Sequence, residues 1–287
     1  MKHLISLKEQ SSKDLLDILK IAQKLKADRA RGKFPEYLKH KTLIMLFQKG
    51  STRTRLSFEA AMTELGGHAI YLDARSTQLT LADFKDEIQA IMRFGSVLMF
   101  RALKAADVEL AASFNKIPVI DACSDKYHPC QALGDMLTMI EHTKGGLKNI
   151  KKIAWLGVEN NVSNTLRTAC DKLGIEVVSE LKDLKGAQFL HTDTWMDMEY
   201  FDQGKIKPEF KAIYQRRVKE QMPKQINAKL LSKYCPDAQI MHCMPCHVGY
   251  EISRDAIDHP HSIIFDQAEN RIHIQKAVLL WLLNVLH

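Results

Sequence analysis

The stretch KTLIMLFQKGSTRTRLSFEAAM, residues 41–62, decides the fold class. Its first seven residues are a short apolar run closed off by Gln-Lys-Gly, the pattern of a strand buried on both faces of a parallel sheet. Gly50 then marks a turn, and Ser51, Thr52 and Thr54 occupy the first turn of a helix. Unpaired backbone N–H groups and the helix dipole favour an anion at such a helix start. Arg53 and Arg55 add charge and planar forks of donors. On these residues alone two readings fit: an anion site, or an ordinary Ser/Thr cap with surface arginines.

The same alternation of short apolar run and helical periodicity continues along the chain. Further runs are HAIYLD (68–73), SVLMF (96–100), IPVIDA (117–122), KKIAWLG (151–157), IEVVS (175–179), AQFLHTD (187–193), AQIMHC (238–243) and SIIFDQ (262–267). Nine strands are too many for one sheet, and 287 residues suit two cores better than one. A break fits at HTKGGLKN, residues 142–149, after the helical stretch QALGDMLTMIE. The expected architecture is α/β: two doubly wound domains, 1–141 and 142–268, each a parallel sheet flanked by helices, with a cleft between them. Residues 269–287, apolar at Ile272, Ile274, Val278, Leu279, Leu282 and Val285, form a closing helix that packs back on the first domain. The segment KDLKG, 182–186, reads as a very brief crossover.

Polar residues recur just after the strands, where open α/β sheets bind ligands. Ser51 to Arg55 follow the first run, Arg101 the third and His128 the fourth; Asn160 and Asn161, Asp193, and His242 with Cys243 follow runs of the second half.

Composition excludes several classes. Hydrophobic residues are 46% and charged residues 26%, ordinary for a chain with a large core. The longest apolar run near the end, AVLLWLL (277–283), is far below the ~18 residues of a membrane span. The start, MKHLISLKEQSSKDLL, has no apolar region of signal-peptide length, so a cytoplasmic protein is expected. The net charge of +7 raises nucleic acid as a partner, but no recognition motif accompanies it, and solvated helix faces account for the basic residues. The stretch MHCMPCHVGYE, 241–251, has the CxxCH spacing of covalent haem attachment. Haem attachment suits exported chains, however, and six scattered cysteines in a cytosolic chain read as thiols. His242, Cys243, Cys246 and His247 lie too close in sequence to close one zinc tetrahedron. No metal and no cofactor are expected.

Four separated motifs, STRTRLSFE (51–59), YHPCQALGDMLT (127–138), MHCMP (241–245) and FDQAENRIHIQKA (265–277), occur in an order that resembles the aspartate/ornithine carbamoyltransferase family, on its ornithine side. The resemblance implies transfer of the carbamoyl group of carbamoyl phosphate to the δ-amine of L-ornithine in arginine biosynthesis, by a homotrimer with shared active sites. It makes 1–141 the carbamoyl-phosphate-binding domain and 142–268 the ornithine-binding domain. Carbamoyl phosphate is then held by Ser51, Thr52, Arg53, Thr54, Arg101, His128, Gln131 and Arg271, with Gln78 lent by a neighbouring subunit. Ornithine is held by Asn160, Asp193, Asp197, Met198, Cys243 and Met244, and the catalytic set is Arg101, His128, Asp193 and Cys243. Thr54, Arg101 and His128 form an oxyanion hole; without the motif, His128 reads as a cap of the helix starting at Pro129. The CxxCH match becomes accidental. The chain departs from the family pattern D-x-W-x-S-M-G, reading Asp193-Thr-Trp-Met-Asp-Met-Glu199, and is short by some tens of residues between Gly174 and Asp193. Another acceptor such as putrescine would keep everything from Ser51 to Arg271 and change only the second-domain pocket; a non-catalytic carbamoyl-phosphate binder would be expected to lose Arg53, Arg101 or His128, and all three are present. An anionic acceptor such as aspartate is poorly matched by Asp193, Asp197 and Glu199.

Overall fold

The computed structural model describes residues 1–196, 200–202 and 205–285. Contacts divide the chain into two compact units: residues 1–137, 160–172 and 269–287, and residues 138–159 and 173–268.

The first unit is built on a parallel sheet of β1 (Thr42–Phe47), β2 (His68–Asp73), β3 (Val97–Arg101) and β4 (Val119–Asp121), in the order β2-β1-β3-β4. Helices α1 (Ser12–Ala30), α2 (Thr52–Glu64), α3 (Phe84–Ile91) and α4 (Ala105–Ser113) belong to it, and α5 (Pro129–Glu141) starts in it. Every residue of β1 from Leu43 to Phe47 is buried, as a central strand covered on both faces requires. Ser11 begins α1 with a reciprocal capping box to Asp14.

The second unit repeats the plan. Its sheet holds β5 (Lys152–Trp155), β6 (Glu176–Val178), β7 (Phe189–Thr192) and β10 (Gln239–His242), all parallel, in the order β10-β7-β5-β6. Counted from the other edge, this is the strand order of the first sheet. A two-stranded antiparallel pair, β8 (Phe201–Asp202) and β9 (Lys205–Ile206), precedes α7 (Lys211–Gln221); α8 (Ala228–Tyr234) and the short α9 (Arg254–Ile257) complete it. From β6 to β7 the chain crosses by one 3₁₀ turn, Leu181–Asp183, the brief crossover expected from its sequence.

Three findings depart from the sequence reading. Residues 262–267 are not a strand: only Ser262 bridges to Ile240, and α10 (Ile264–Leu282) begins five residues before the expected closing helix. A three-residue apolar run carries no period of its own, and here it belongs to the helix that follows. The helix α6 (Asn161–Lys172) groups with the first unit, not with the span 142–268. Hydrogen bonds explain this: Asn161 Nδ2 donates to the carbonyl of Ser124, and the N–H of His128 donates to Thr165 Oγ1. The division also falls inside α5 and inside α10, since residues 138–141 and 264–268 count with the second unit.

Candidate active site

In the first sheet the order reverses between β1 and β3, the chain leaving one strand for α2 and the other for α4. That divergence opens a crevice at the carboxyl ends of the two strands. Gln48 pins its floor: its N–H donates to Arg101 O (3.0 Å), its Oε1 accepts from Leu103 N (2.7 Å), and its Nε2 donates to Asp107 (3.2 Å). The sequence alone does not mark this residue, because its partners lie more than fifty positions away.

Ser51 caps α2 in extended conformation, its Oγ accepting from Thr54 N and donating to Thr54 Oγ1 (3.1 Å). Thr54 is buried, Thr52 exposed and Arg53 half-buried, all within the first turn. Arg55, offered by the sequence as part of the same anion site, is turned elsewhere. It pairs with Glu59 (2.9 Å) and lies over the Tyr71 ring at 4.0 Å.

Arg101 ends β3 and its buried Nε has no hydrogen-bond partner among the described residues. His128 stands at the entry of α5, its carbonyl accepting from Gln131 N and Ala132 N; Pro129 supplies the first helical residue, where a missing N–H costs nothing. Burial drives the His128 pKa well below its usual value, and the nearby charges of Arg271, Arg101, Lys49 and Arg53 push the same way. The ring is neutral at pH 7. Arg271, 3% exposed on α10, donates from Nη1 to Gln131 Oε1 (2.6 Å), while its Nε and Nη2 find no acceptor among the described residues. Gln131 in turn donates to Asp135 (2.8 Å). Buried charged donors without acceptors are costly, at ~1–3 kcal/mol or more each, so this group suits an oxygen-rich anion. Gln78 lies apart, exposed on the 3₁₀ turn Gln78–Thr80.

Asn160 is the cap of α6. Its Oδ1 accepts from Val162 N and Ser163 N, both at 3.0 Å, so a substrate ammonium would compete with two helix N–H groups for that oxygen. In the second unit β7 and β10 are neighbours with Thr192 opposite His242, which carries Asp193 and Cys243 side by side off their strands. The ligand-type atoms of Asp193, His242 and Cys243 all lie within 4.8 Å of one another, a set that invites a metal ion. The histidine argues against one. Its Nδ1 accepts from Met244 N (2.8 Å), which fixes the proton on Nε2, and that nitrogen faces Glu251 Oε1 at 3.3 Å. Neither ring nitrogen is left for a cation.

The buried Glu251 also accepts from His247 N, so one carboxylate holds both ends of the loop 242–247. Met244 and Cys246 pack on the second core, and the His247 ring lies 4.6 Å from that of Phe201. The CxxCH residues therefore point to different surroundings. Gln267 on α10 joins the two strand ends, accepting from His242 N (2.8 Å) with its Nε2 3.0 Å from His191 Nε2. Its signal, a polar residue amid buried ones, was hidden because 262–267 read as a strand. The loop after β7 is anchored by Arg217, which donates to Trp195 O (3.0 Å). Asp197 and Met198, expected to touch ornithine, lie outside the described residues.

Comparison with known proteins adds to this geometry. The family model "Aspartate/ornithine carbamoyltransferase, carbamoyl-P binding domain" matches residues 2–141, and its companion for the Asp/Orn binding domain matches 175–282. An ornithine carbamoyltransferase of Archaeoglobus fulgidus is 36% identical, the match covering 99% of this chain and 98% of that protein. One from Pyrococcus furiosus, named anabolic, is 36% identical over 97% of this chain and 95% of its own. The solved P. furiosus ornithine carbamoyltransferase superposes with a TM-score of 0.88 at 34% identity, covering 100% of this chain and 98% of that one. The Archaeoglobus match runs over 312 positions against 287 residues here, leaving at least 25 without a counterpart (312 − 287), a shortfall of the size the sequence suggested. Matches that take in both sheets, from relatives aligned nearly end to end, leave one assignment standing: the chain belongs to the aspartate/ornithine carbamoyltransferase family.

Proposed function

We propose that this chain transfers the carbamoyl group of carbamoyl phosphate to the δ-amine of L-ornithine, giving citrulline and phosphate in arginine biosynthesis. The observation that carries the reading is the group of buried donors without protein acceptors, Arg101 Nε with Arg271 Nε and Nη2, around a neutral His128. The anabolic name of the Pyrococcus relative supports the direction.

In this reading the phosphate sits at the start of α2 on Ser51, Thr52, Arg53 and Thr54, and the carbamoyl oxygen faces Arg101, His128 and Thr54, with Gln131 and Arg271 nearby. As the δ-nitrogen attacks, negative charge grows on that oxygen, and each preorganised donor is worth ~3 kcal/mol at the transition state. A neutral His128 donates one ring N–H without adding charge. The C–O bond to phosphate breaks, and the leaving phosphate takes the proton lost by the nitrogen. Asp193 holds the cationic amino acid, Cys243 and Met244 line the attacking end, and Asn160 contributes at the α-carbon. The assembly is a cytoplasmic homotrimer, each subunit lending the exposed Gln78 to its neighbour's site. Residues 1–141 bind carbamoyl phosphate, and 142–268 the amino acid.

One observation favours a second acceptor, a plain diamine such as putrescine: the Asn160 oxygen is already engaged as a helix cap, which weakens recognition of an α-amino group. Labelled carbamoyl phosphate offered with ornithine, putrescine, aspartate and an N-acylated ornithine decides between them. Labelled citrulline as the main product supports the proposal; preference for putrescine at equal concentration shifts the acceptor, and no labelled product with any amine removes the activity.

A further inference from the structure

The backbone of His128 is held by a helix that contributes no group to the carbamoyl chemistry. Its N–H precedes Pro129 and lies outside the α5 hydrogen-bond ladder, so it needs an acceptor from elsewhere. Thr165 Oγ1, buried on α6, supplies it at 3.1 Å, while the Thr165 hydroxyl donates back to Asn161 O at 2.7 Å. Asn161, one turn earlier, fastens the other end of the same segment, its Nδ2 donating to Ser124 O (2.6 Å) and Cys123 Sγ (3.3 Å). Between those anchors the strap closes on itself. Ser124 Oγ accepts from Lys126 N and Tyr127 N, Ser124 N donates to Tyr127 O, and Asp121 Oδ1 accepts from Cys123 N.

We infer that Thr165, backed by Asn161, is a positioning residue that sets His128 against the carbamoyl oxygen. The imidazole cannot anchor itself. Its Nδ1 is buried with no hydrogen-bond partner among the described residues, and the surrounding arginines repel a proton rather than bind the ring. The orientation of Nε2 therefore follows the backbone, and the backbone follows Thr165. A shift of under an ångström at a preorganised donor is enough to weaken transition-state stabilisation while leaving the phosphate contacts of α2 in place. The inference rests on the proposed carbamoyl transfer for its kinetic consequence, and on the strap alone for its structural one.

Thr165→Val keeps the shape and removes the acceptor. In the full chain it should lower kcat by about tenfold, the scale of one lost hydrogen bond, with KM for carbamoyl phosphate changed less than about threefold. Thr165→Ser restores the hydroxyl and should return kcat to within about twofold of wild type. Hydrogen exchange at the His128 amide gives a readout independent of activity: protected in wild type and Thr165→Ser, and at least ~10-fold faster in Thr165→Val, or in Thr165→Ala if the valine variant does not fold. Unchanged kcat in a folded valine variant, a serine variant as slow as valine, or unchanged exchange each overturns the inference. If the wild-type chain transfers no carbamoyl group, the proposed function falls, and the exchange comparison still decides the role of Thr165.

Discussion

The two units share a strand order and differ in how their strand ends are finished. At the carboxyl ends of β1 and β3 the first unit leaves charged donors buried and, among the described residues, unmatched: Arg101 Nε, and Arg271 Nε and Nη2. At the ends of β7 and β10 the polar groups are largely matched by one another, with His242 between Met244 N and Glu251, and Gln267 between His191 and His242 N. The first arrangement stores an electrostatic deficit that an anion relieves. The second spends its hydrogen bonds on holding a loop in shape, so under the proposed function selection there would depend on geometry and on a few groups such as Asp193. One topology thus supports two binding strategies, and the difference lies in side chains at the strand ends.

Arg53→Ala tests the unmatched half most severely. Turnover should fall at least ~100-fold, because charge-assisted contacts to a buried phosphate carry several kcal/mol. Near-normal carbamoyl-phosphate affinity in that variant would remove the anion site from α2. Glu251→Ala tests the matched half: it strips acceptors from His242 Nε2 and His247 N, and should cost ~2 kcal/mol of stability, read as a melting temperature lowered by several degrees. Glu251→Gln keeps one acceptor and should lose less. If both variants melt with wild type, the loop is not held as the hydrogen bonds imply.

A subtler test uses pH. Burial pushes the Asp121 carboxyl up from the usual carboxylate range to about 7, and its Oδ2 has no hydrogen-bond partner among the described residues. A raised folded-state value means the folded chain holds the proton more tightly than the unfolded chain. This contribution to stability is complete below pH 4 and is lost as pH rises toward 7. Asp121→Asn should therefore raise the melting temperature at pH 8 relative to wild type and change it much less at pH 5; an equal shift at both values contradicts the assignment. The smallest effect is expected at Cys246, which packs against the second core as a partly buried thiol. Cys246→Ser should leave turnover within about twofold and bound zinc unchanged, since a thiol there acts as a small hydrophobe. Loss of stoichiometric zinc together with activity would reverse the reading of the CxxCH stretch.

Much of this was legible beforehand for physical reasons that also mark the limit. Eight of nine apolar runs became strands; central ones such as β1 and β7 are buried and announce themselves as continuous hydrophobicity, while the edge strands β2 and β6 were read from their β-rich composition. SIIFDQ failed because three apolar residues fit a helix start equally well. Ser51, His128, Gln131 and Arg271 could be named as candidates because motifs mark them locally, and Arg101 because it follows a strand. Gln48, Thr165 and Gln267 could not, because the use of such a polar side chain is set by a partner far along the chain: Gln48 lies 55 residues from Leu103, Thr165 lies 37 from His128, and Gln267 lies 76 from His191. Asn160 shows the converse, a residue of the expected type whose oxygen turned out to terminate a helix.

The neutral state of His128 has a consequence for the rate profile. With its pKa held well below the usual value by burial, the ring stays uncharged from pH 7 to 8 and adds no inflection to turnover there. The steep variable in that interval is the acceptor: an alkyl amine with a pKa of about 10, like that of lysine, is almost wholly protonated, and its reactive fraction grows about tenfold per pH unit. Under the proposed activity, flux through the enzyme would track the alkalinity of its surroundings through the chemistry of the substrate rather than through the charge of His128.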